Sequence, residues 1–264
     1  MIRGMHCAPP GLRRPAYHIS VTRMSAPARR SLVAAALVLV LAPVRARATS
    51  LGELLAAVAS NDRFPSPARA EFHGEQRIGD GSRAIRGVLI GSRRTVYVET
   101  DRGTRALVRP GKVVLAQAGG RTHAERGAPL PGTDLLLEDL APFTVARLTM
   151  PQISDEGPTG VVVNSAPAAW SAYVLLVHVV DPERATVVRT QYYRDAISEL
   201  VKMRRDDAFV QVANHWRPTD VTVESFRDKS VTHLTLSWAP AGDVAPDVFT
   251  PAGLRGASRL GAAP

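Results

Sequence analysis

Turn residues recur through this chain at intervals that fit hairpins. Extended segments rich in β-branched and aromatic residues are predicted at 71–78, 83–90, 95–100, 105–109 and 112–118. They are followed in turn by Gly79-Asp80-Gly81, Gly91-Ser92, Asp101-Arg-Gly103, Pro110-Gly111 and Gly119-Gly120. Each break supplies Gly, Asn or Asp, the residues that tolerate the positive φ of tight hairpin turns. Neighbouring strands joined in this way are antiparallel. The spacing therefore predicts an antiparallel meander and leaves no room for helical crossovers.

The second half of the chain continues this pattern after Pro142. Strands are predicted at 144–150, 160–164, 171–181, 186–194, 200–204, 208–212, 220–226 and 231–238. Apolar residues of Leu51 to Val58 follow the i, i+3, i+4, i+7 spacing of an amphipathic helix. A second short helix is predicted over Asp134 to Leu140, with Asp134 as its cap. The prediction is a single mainly β (α+β) domain over 49–254, followed by a loose tail at 255–264.

Positive charge is concentrated at the N-terminus. Residues 1–48 hold eight arginines and no acid, which leaves 25 basic and 24 acidic residues downstream, a net charge of +1. The overall charge of +9 is thus no indication of nucleic-acid binding. Arg29-Arg30, an apolar run from Ser31 to Ala42 and Ala46-Arg47-Ala48 have the pattern of a signal peptide.

We therefore expect residues 24–48 to be a leader, cleaved after Ala48, and the mature protein to be periplasmic. Met24 precedes the leader, so residues 1–23 are interpreted as a mis-annotated start. The apolar run is too short for a membrane span of about 20 residues. Both the general secretory and the twin-arginine routes remain open. The single cysteine, Cys7, lies before Met24, which excludes disulfides and thiol chemistry from the predicted mature chain.

Several short motifs follow one another in a fixed order. They are Gly132-Thr-Asp134-Leu-Leu-Leu-Glu138-Asp139-Leu140, Tyr192-Tyr193, Leu200-Val-Lys202, Trp216-Arg-Pro218-Thr219, Asp228-Lys-Ser-Val-Thr232-His-Leu234 and Pro246-Asp-Val-Phe249-Thr250. In order and spacing this series resembles the outer-membrane lipoprotein-sorting (LolA-like) family. One departure is Asp195-Ala-Ile-Ser-Glu-Leu200, which lacks the glycine that family members place in this turn.

The resemblance implies a single curved antiparallel sheet that forms an incompletely closed β-barrel, with short helices as plugs and an apolar cavity between them. Alternation along each strand then selects the side chains that share an inner face. The candidates for the cavity wall are Leu148, Met150, Val161, Val163, Val221, Val223, Leu234, Leu236 and Trp238. Trp170 and Tyr173 are added because aromatic residues crowd into this half of the chain; core packing explains these rings equally well.

Catalytic motifs of the common nucleophile, zinc-protease, phosphate-loop and dinucleotide types are absent from the sequence. Asp134, Glu138 and Asp139 could form a paired-carboxylate site, but helix capping and solvation account for them as well. His178 lies on an apolar strand and is interpreted as a hydrogen-bonded core histidine. The histidines lack metal-ligand spacing. We therefore predict neither an enzyme nor a bound cofactor or metal.

Two functions remain open. The resemblance implies a monomeric carrier that binds a lipid or lipoprotein acyl chains and does not bind nucleic acid. Its expected protein partner is a membrane transporter or an outer-membrane acceptor. The alternative is a periplasmic regulatory or scaffold module that uses the same half-barrel to bind a protein.

Overall fold

A computed structural model of the chain describes residues 50–116, 121–157 and 159–260, so the predicted leader and its cleavage site lie outside the described residues. One α-helix, α1 (Leu51–Asn61), precedes the sheet. The strands are β1 (Phe64–Ile78), β2 (Gly81–Arg93), β3 (Thr95–Thr100), β4 (Arg105–Arg109), β5 (Lys112–Ala116), β6 (Thr122–Ala124), β7 (Leu148–Gly157), β8 (Gly160–Pro167), β9 (Leu175–Asp181), β10 (Thr186–Tyr193), β11 (Leu200–Val212), β12 (His215–Ser225) and β13 (Ser230–Pro240). No helix among these residues is long and apolar enough to cross a bilayer.

All thirteen described strands form one antiparallel sheet. Its order is β6-β5-β4-β3-β2-β1-β13-β12-β11-β10-β9-β8-β7. The first and last strands pair at the centre, whereas β6 and β7 are the two edges. The sheet is curved but does not close on itself, because no ladder joins β6 to β7. The predicted fold class, an incompletely closed antiparallel barrel, is confirmed.

A capping box starts α1. The Glu53 amide donates to Ser50 Oγ, and the Ser50 amide donates to a Glu53 carboxylate oxygen 3.0 Å away. These two bonds satisfy amide groups that the first helical turn cannot pair. The apolar face of the helix then packs on β8 and β9; the buried residues at this contact are Leu54, Leu55, Val58, Val163 and Val180. The helix predicted from residue 51 is confirmed and runs to Asn61.

The hairpin between β11 and β12 shows how turn chemistry sets the strands. Ala213 and Asn214 have φ values of 48° and 64°, as a two-residue type I′ turn requires. The strand before this turn was predicted as two segments broken at Asp206-Asp207. That prediction is wrong: β11 is continuous, and a bulge between Asp206 and Ala208 bends the strand without ending it.

A long connection runs from the edge strand β6 to the opposite edge strand β7. We call residues 125–147 the crossover segment. It packs on one face of the sheet, here called the inner face, and buries Leu130, Leu135 and Leu137 against strands β1 to β4, β12 and β13. Two short 3₁₀ turns lie within it, at Leu137–Leu140 and Val145–Arg147.

The crossover segment corrects two predictions. The helix expected over residues 134–140 is one 3₁₀ turn, and its Leu136 amide is capped by Asp139. The carboxylate of Asp134 is not available for capping because it binds the sheet instead. The strand expected at residues 144–150 begins only at Leu148, after the second 3₁₀ turn.

The C-terminal segment covers the outer face of β2, β3 and β4. Val248 and Leu254 are buried there against apolar side chains of these strands. The predicted loose tail is instead held against the sheet as far as Leu260. The Arg259 amide donates to a Glu99 carboxylate oxygen 2.7 Å away, and Arg105 donates to the Gly256 carbonyl at 2.7 Å. Strands β2 to β4 are therefore buried on both faces.

Candidate functional site

Asp134 anchors the crossover segment at the centre of the sheet. Its carboxylate accepts hydrogen bonds from Gln76 on β1 (2.8 Å) and from Ser230 (2.6 Å) and Thr232 (2.7 Å) on β13. Its amide donates to the Thr232 hydroxyl at 2.8 Å. These contacts span the pair of strands that joins the two halves of the sheet. Asp134 therefore fastens the crossover segment to the sheet.

Asp139, further along the crossover segment, forms a buried ion pair. Lys202 on β11 contacts the Asp139 carboxylate, and the two side chains are 6% and 1% exposed. The hydroxyl of Tyr173 donates to Asp139 at 3.0 Å, and the lysine also donates to the Asp134 carbonyl at 3.2 Å. Burial and the nearby Asp139 raise the pKa of Tyr173, so this phenol stays protonated. The ion pair ties the crossover segment to β11.

Arg204 extends this network into a cavity. Its guanidinium forms a two-pronged pair with Asp206 at 2.7 and 2.9 Å and donates to the Asp139 carbonyl at 3.1 Å. Burial lowers the pKa of Arg204, but the Asp206 carboxylate more than offsets this, and the net pKa is raised. Burial raises the pKa of its partner Asp206, and Arg204 opposes this shift.

Glu138 lies on the other side of the crossover segment. One carboxylate oxygen accepts from the Ala172 amide at 3.0 Å. The other is 3.8 Å from the guanidinium of Arg147, too far for a hydrogen bond. Burial and the neighbouring Asp139 raise the pKa of Glu138, opposed by the Ala172 bond and by Arg147. The prediction that solvation explains this acid is wrong, since Glu138 is only 2% exposed.

Two cavities lie beneath the crossover segment. The larger, called the mixed cavity, has a volume of about 160 Å³. Its wall combines charged, hydroxyl and aromatic side chains; among them are Asp62, Glu138, Arg147, His178, Thr186, Thr190, Tyr192, Arg204, Asp206, Phe143 and Trp216. Four acidic side chains (Asp62, Glu138, Asp139 and Asp206) and three basic ones (Arg147, Arg189 and Arg204) line it, so it carries no strong excess of either charge.

His178 confirms the prediction of a hydrogen-bonded core histidine. Its Nδ1 lies 3.1 Å from the Thr190 hydroxyl on the neighbouring strand, and the residue is 6% exposed. Burial, with a smaller effect of Arg147, lowers the pKa of His178 to about 4. The imidazole is therefore neutral at physiological pH and offers one further nitrogen to the mixed cavity.

The smaller cavity, called the apolar cavity, has a volume of about 120 Å³. It lies between the crossover segment and strands β1, β2, β12 and β13. Its wall is mostly aliphatic and aromatic; the apolar residues there include Phe64, Phe72, Leu89, Leu130, Leu135, Val221, Leu234, Leu236 and Trp238. Asp62, Asp139, Ala141, Arg204 and Pro218 line both cavities. The two spaces are therefore adjacent.

The similarity of this chain to known proteins lies in its fold. No protein-family model matches the sequence, and no curated protein gives a significant match. Solved structures do match: a putative outer-membrane lipoprotein-sorting protein domain from Vibrio parahaemolyticus superposes with a TM-score of 0.67 at 14% identity, over 77% of this chain and 97% of that one. This chain has a LolA-like fold.

Two further structures support this assignment. A LolA superfamily protein from Nitrosomonas europaea matches with a TM-score of 0.63 at 15% identity, over 75% of this chain and 96% of that one. A DUF1329 family protein from Desulfovibrio piger matches with a TM-score of 0.65 at 16% identity, over 76% of this chain and 96% of that one. The resemblance predicted from the motifs is thus confirmed at the level of the fold.

The LolA-like fold brings only some of the predicted cavity residues together. Val221, Leu234, Leu236 and Trp238 line the apolar cavity, and Leu148 and Tyr173 line the mixed cavity. The others line neither. Val161 and Val163 pack beneath α1, Val223 is buried in the core, Trp170 stacks under Arg147 at 4.6 Å, and Met150 is 77% exposed.

Sequence reasoning missed most of the mixed cavity. Arg147, Thr186, Arg204 and Asp206 look like surface residues in the sequence. The alternation of Arg204 and Asp206 on one strand was a usable signal, because residues i and i+2 share a face. Within the described parts of the chain, no cluster of three His, Cys, Asp or Glu side chains is arranged to hold a metal ion.

Proposed function

We propose that the protein is a periplasmic carrier of a lipid-like or acylated ligand, with a role in outer-membrane lipoprotein or lipid sorting. The observation that carries this proposal is the apolar cavity between the curved sheet and the crossover segment. The LolA-like fold supports it, since two of the similar structures bear lipoprotein-sorting or LolA names. Transfer of a ~16-carbon chain into water costs on the order of 12 kcal/mol. A lipid therefore crosses an aqueous gap only when an apolar cavity keeps its chain out of water.

The cavity wall offers a direct test. Val221 lines the apolar cavity, whereas Val223, two residues further on the same face of β12, is fully buried and lines neither cavity. We expect Val221→Phe to fill the empty space, abolish uptake of the uncharged fluorophore N-phenylnaphthylamine and leave the melting temperature nearly unchanged.

Val223→Phe is the matched control. The same added volume in a filled core costs about 1–3 kcal/mol, so this variant should melt earlier. Wild-type protein that takes up no apolar fluorophore would contradict the carrier proposal and favour a protein-binding module. Equal uptake by wild type and Val221→Phe would contradict the assignment of this cavity.

Export completes the proposal. The leader pattern ending at Ala46-Arg47-Ala48 predicts a mature N-terminus at Thr49. N-terminal sequencing of protein recovered from the periplasm measures this directly. An uncleaved chain in the membrane fraction would contradict it. A monomer that exchanges ligand with a membrane transporter and an outer-membrane acceptor is the expected working unit.

A further inference from the structure

Three polar atoms in the mixed cavity lack a hydrogen-bond partner among the described residues. They are His178 Nε2, Thr186 Oγ1 and Glu138 Oε2. The three residues are 6%, 6% and 2% exposed, and all of them line this cavity. Buried polar atoms are nearly always paired in folded proteins, and those that are not require an explanation. Their convergence on one space indicates that its occupant is polar.

Arg147 defines the chemistry of that occupant. Its guanidinium stacks on Trp170 at 4.6 Å, and its Nη2 lies 3.8 Å from Glu138 Oε2. A group that lies beside these two atoms can accept a hydrogen bond from the arginine and donate one to the carboxylate. A hydroxyl group does both, whereas an ionised carboxylate or phosphate only accepts.

Charge around the cavity favours neither an anion nor a cation. Four acidic and three basic side chains line it, and two of the acids, Asp139 and Asp206, are already paired with Lys202 and Arg204. An anion beside Arg147 lies next to the Glu138 carboxylate, and a cation beside Glu138 lies next to Arg147. His178 is neutral, because burial and Arg147 lower its pKa to about 4. An uncharged group with several hydroxyls satisfies all of these neighbours.

Position extends the argument to a lipid. The mixed cavity shares Asp139, Ala141 and Pro218 with the apolar cavity. A head group in the first space therefore lies next to the space that would take its chain.

We propose that the mixed cavity is a head-group site for an uncharged, hydroxyl-bearing lipid, such as a monoacylglycerol, whose chain occupies the apolar cavity. This inference rests on the proposed carrier function and adds the class of ligand. The hydroxyls lie beside Arg147 and Glu138, bridge these two side chains and reach His178 and Thr186. The site thereby selects among lipids of equal chain length.

Competition against bound N-phenylnaphthylamine tests this selection. The competitors are monodecanoylglycerol, methyl decanoate, which accepts hydrogen bonds but donates none, and decanoate, which is charged. We expect the monoacylglycerol to displace the fluorophore at a concentration at least about tenfold lower than either of the others, since one hydrogen bond to a charged group corresponds to roughly this factor. Equal potency of all three would overturn the head-group site and leave the carrier proposal intact.

Two variants test whether Thr186 and Glu138 produce this preference. Thr186→Val keeps the shape of the side chain and removes the unpaired hydroxyl, and Glu138→Gln keeps the acceptor for Ala172 but replaces the unpaired oxygen with a donor group. Each should reduce the preference for monodecanoylglycerol over methyl decanoate by about tenfold while fluorophore affinity stays unchanged. A purely structural role would weaken both competitors equally, and that result would overturn the assignment.

Further controls separate the remaining outcomes. Thr235→Val makes the same exchange on β13 at a residue that lines neither cavity, and it should leave the preference unchanged. Free glycerol at the same concentration should not affect displacement by the monoacylglycerol. If glycerol competes, the occupant is a free polyol and the lipid head-group assignment is wrong. Absence of fluorophore binding in wild type would instead refute the carrier proposal itself.

Discussion

The buried ion pair between Lys202 and Asp139 holds the crossover segment against the sheet, and its contribution to stability can be measured. The two side chains are 6% and 1% exposed. The lysine nitrogen also lies 5.1 Å from the ring centre of Tyr173 and 4.7 Å from that of Tyr192. Removal of one partner from a buried pair typically costs about 3–5 kcal/mol, because the other charge is left without compensation.

The structure places Lys202→Met near the lower end of that range. After the change, Asp139 keeps hydrogen bonds from the Tyr173 hydroxyl at 3.0 Å and from the Leu136 amide at 2.7 Å. We therefore expect a loss of about 3 kcal/mol in the free energy of unfolding. At roughly 2–4 °C per kcal/mol for a domain of this size, the melting temperature should fall by about 6–12 °C. Urea titration and thermal denaturation, both followed by circular dichroism, measure the two quantities.

Two further variants decide whether charge is the cause. Adding Asp139→Asn to Lys202→Met removes the unpaired charge but keeps an acceptor for Leu136, so the double variant should recover about 1–2 kcal/mol. Arg227→Met breaks an exposed pair with Asp195, at 3.6 Å and more than half exposed on both sides, and should cost less than about 1 kcal/mol. The reasoning is refuted if Lys202→Met costs no more than Arg227→Met, or if the double variant is no more stable than the single one.

Other predictions concern pH and glycine. Burial and Arg147 lower the pKa of His178 from 6.5 to about 4, so below pH 6.5 the unfolded chain binds a proton that the folded protein does not. The free energy of unfolding is therefore unaffected by this residue above pH 6.5 and falls as the pH drops towards 4. Urea unfolding at pH 7 and pH 4 should show a loss of about 3 kcal/mol from this residue that His178→Gln lacks; identical pH slopes would contradict this. Gly74→Ala should cost about 3 kcal/mol, since its Cβ would lie 2.0 Å from the His233 carbonyl oxygen on the paired strand. Gly52→Ala, with no atom within 4 Å, should gain about 0.5–1 kcal/mol, and thermal melts that give both changes the same sign would refute the contrast.

Strand positions could be predicted from the sequence because hairpins depend on neighbouring residues. The bounds of Thr95–Thr100 and Arg105–Arg109 match the structure, since the intervening turn at Asp101-Arg-Gly103 supplies a glycine with a φ of 80°. Even the turn without glycine forms, because Asp195 adopts a φ of 66°. Short polar side chains tolerate this conformation better than most.

The path of the crossover segment could not be predicted in the same way. Asp134 is a plausible helix cap in the sequence, but in the structure it binds Ser230 and Thr232, nearly a hundred residues away. Three hydrogen bonds from the sheet outweigh one from a short helix. Such long-range competition leaves no local signal in the sequence.

Part of the candidate site could likewise be predicted from the sequence, and part could not. Alternation on β13 identified Leu234, Leu236 and Trp238 as neighbours on one face, and all three line the apolar cavity. Charged residues of the mixed cavity escaped notice because charge normally indicates exposure. Arg204 and Asp206 can lie inside because each compensates the other. Burial of such a pair becomes visible only when the partners are seen together.

Several of the motif residues that resemble the LolA-like family fasten the crossover segment to the sheet. Asp134, Asp139, Lys202 and Thr232 bind one another on the inner face. Other motif residues line the cavities: Glu138, Tyr192 and Trp216 the mixed cavity, and Leu234 the apolar cavity. Asp139 belongs to both groups, because it pairs with Lys202 and lines both cavities. The contacts that hold the crossover segment therefore form part of the cavity walls, so a substitution that loosens these contacts also changes the shape of both cavities.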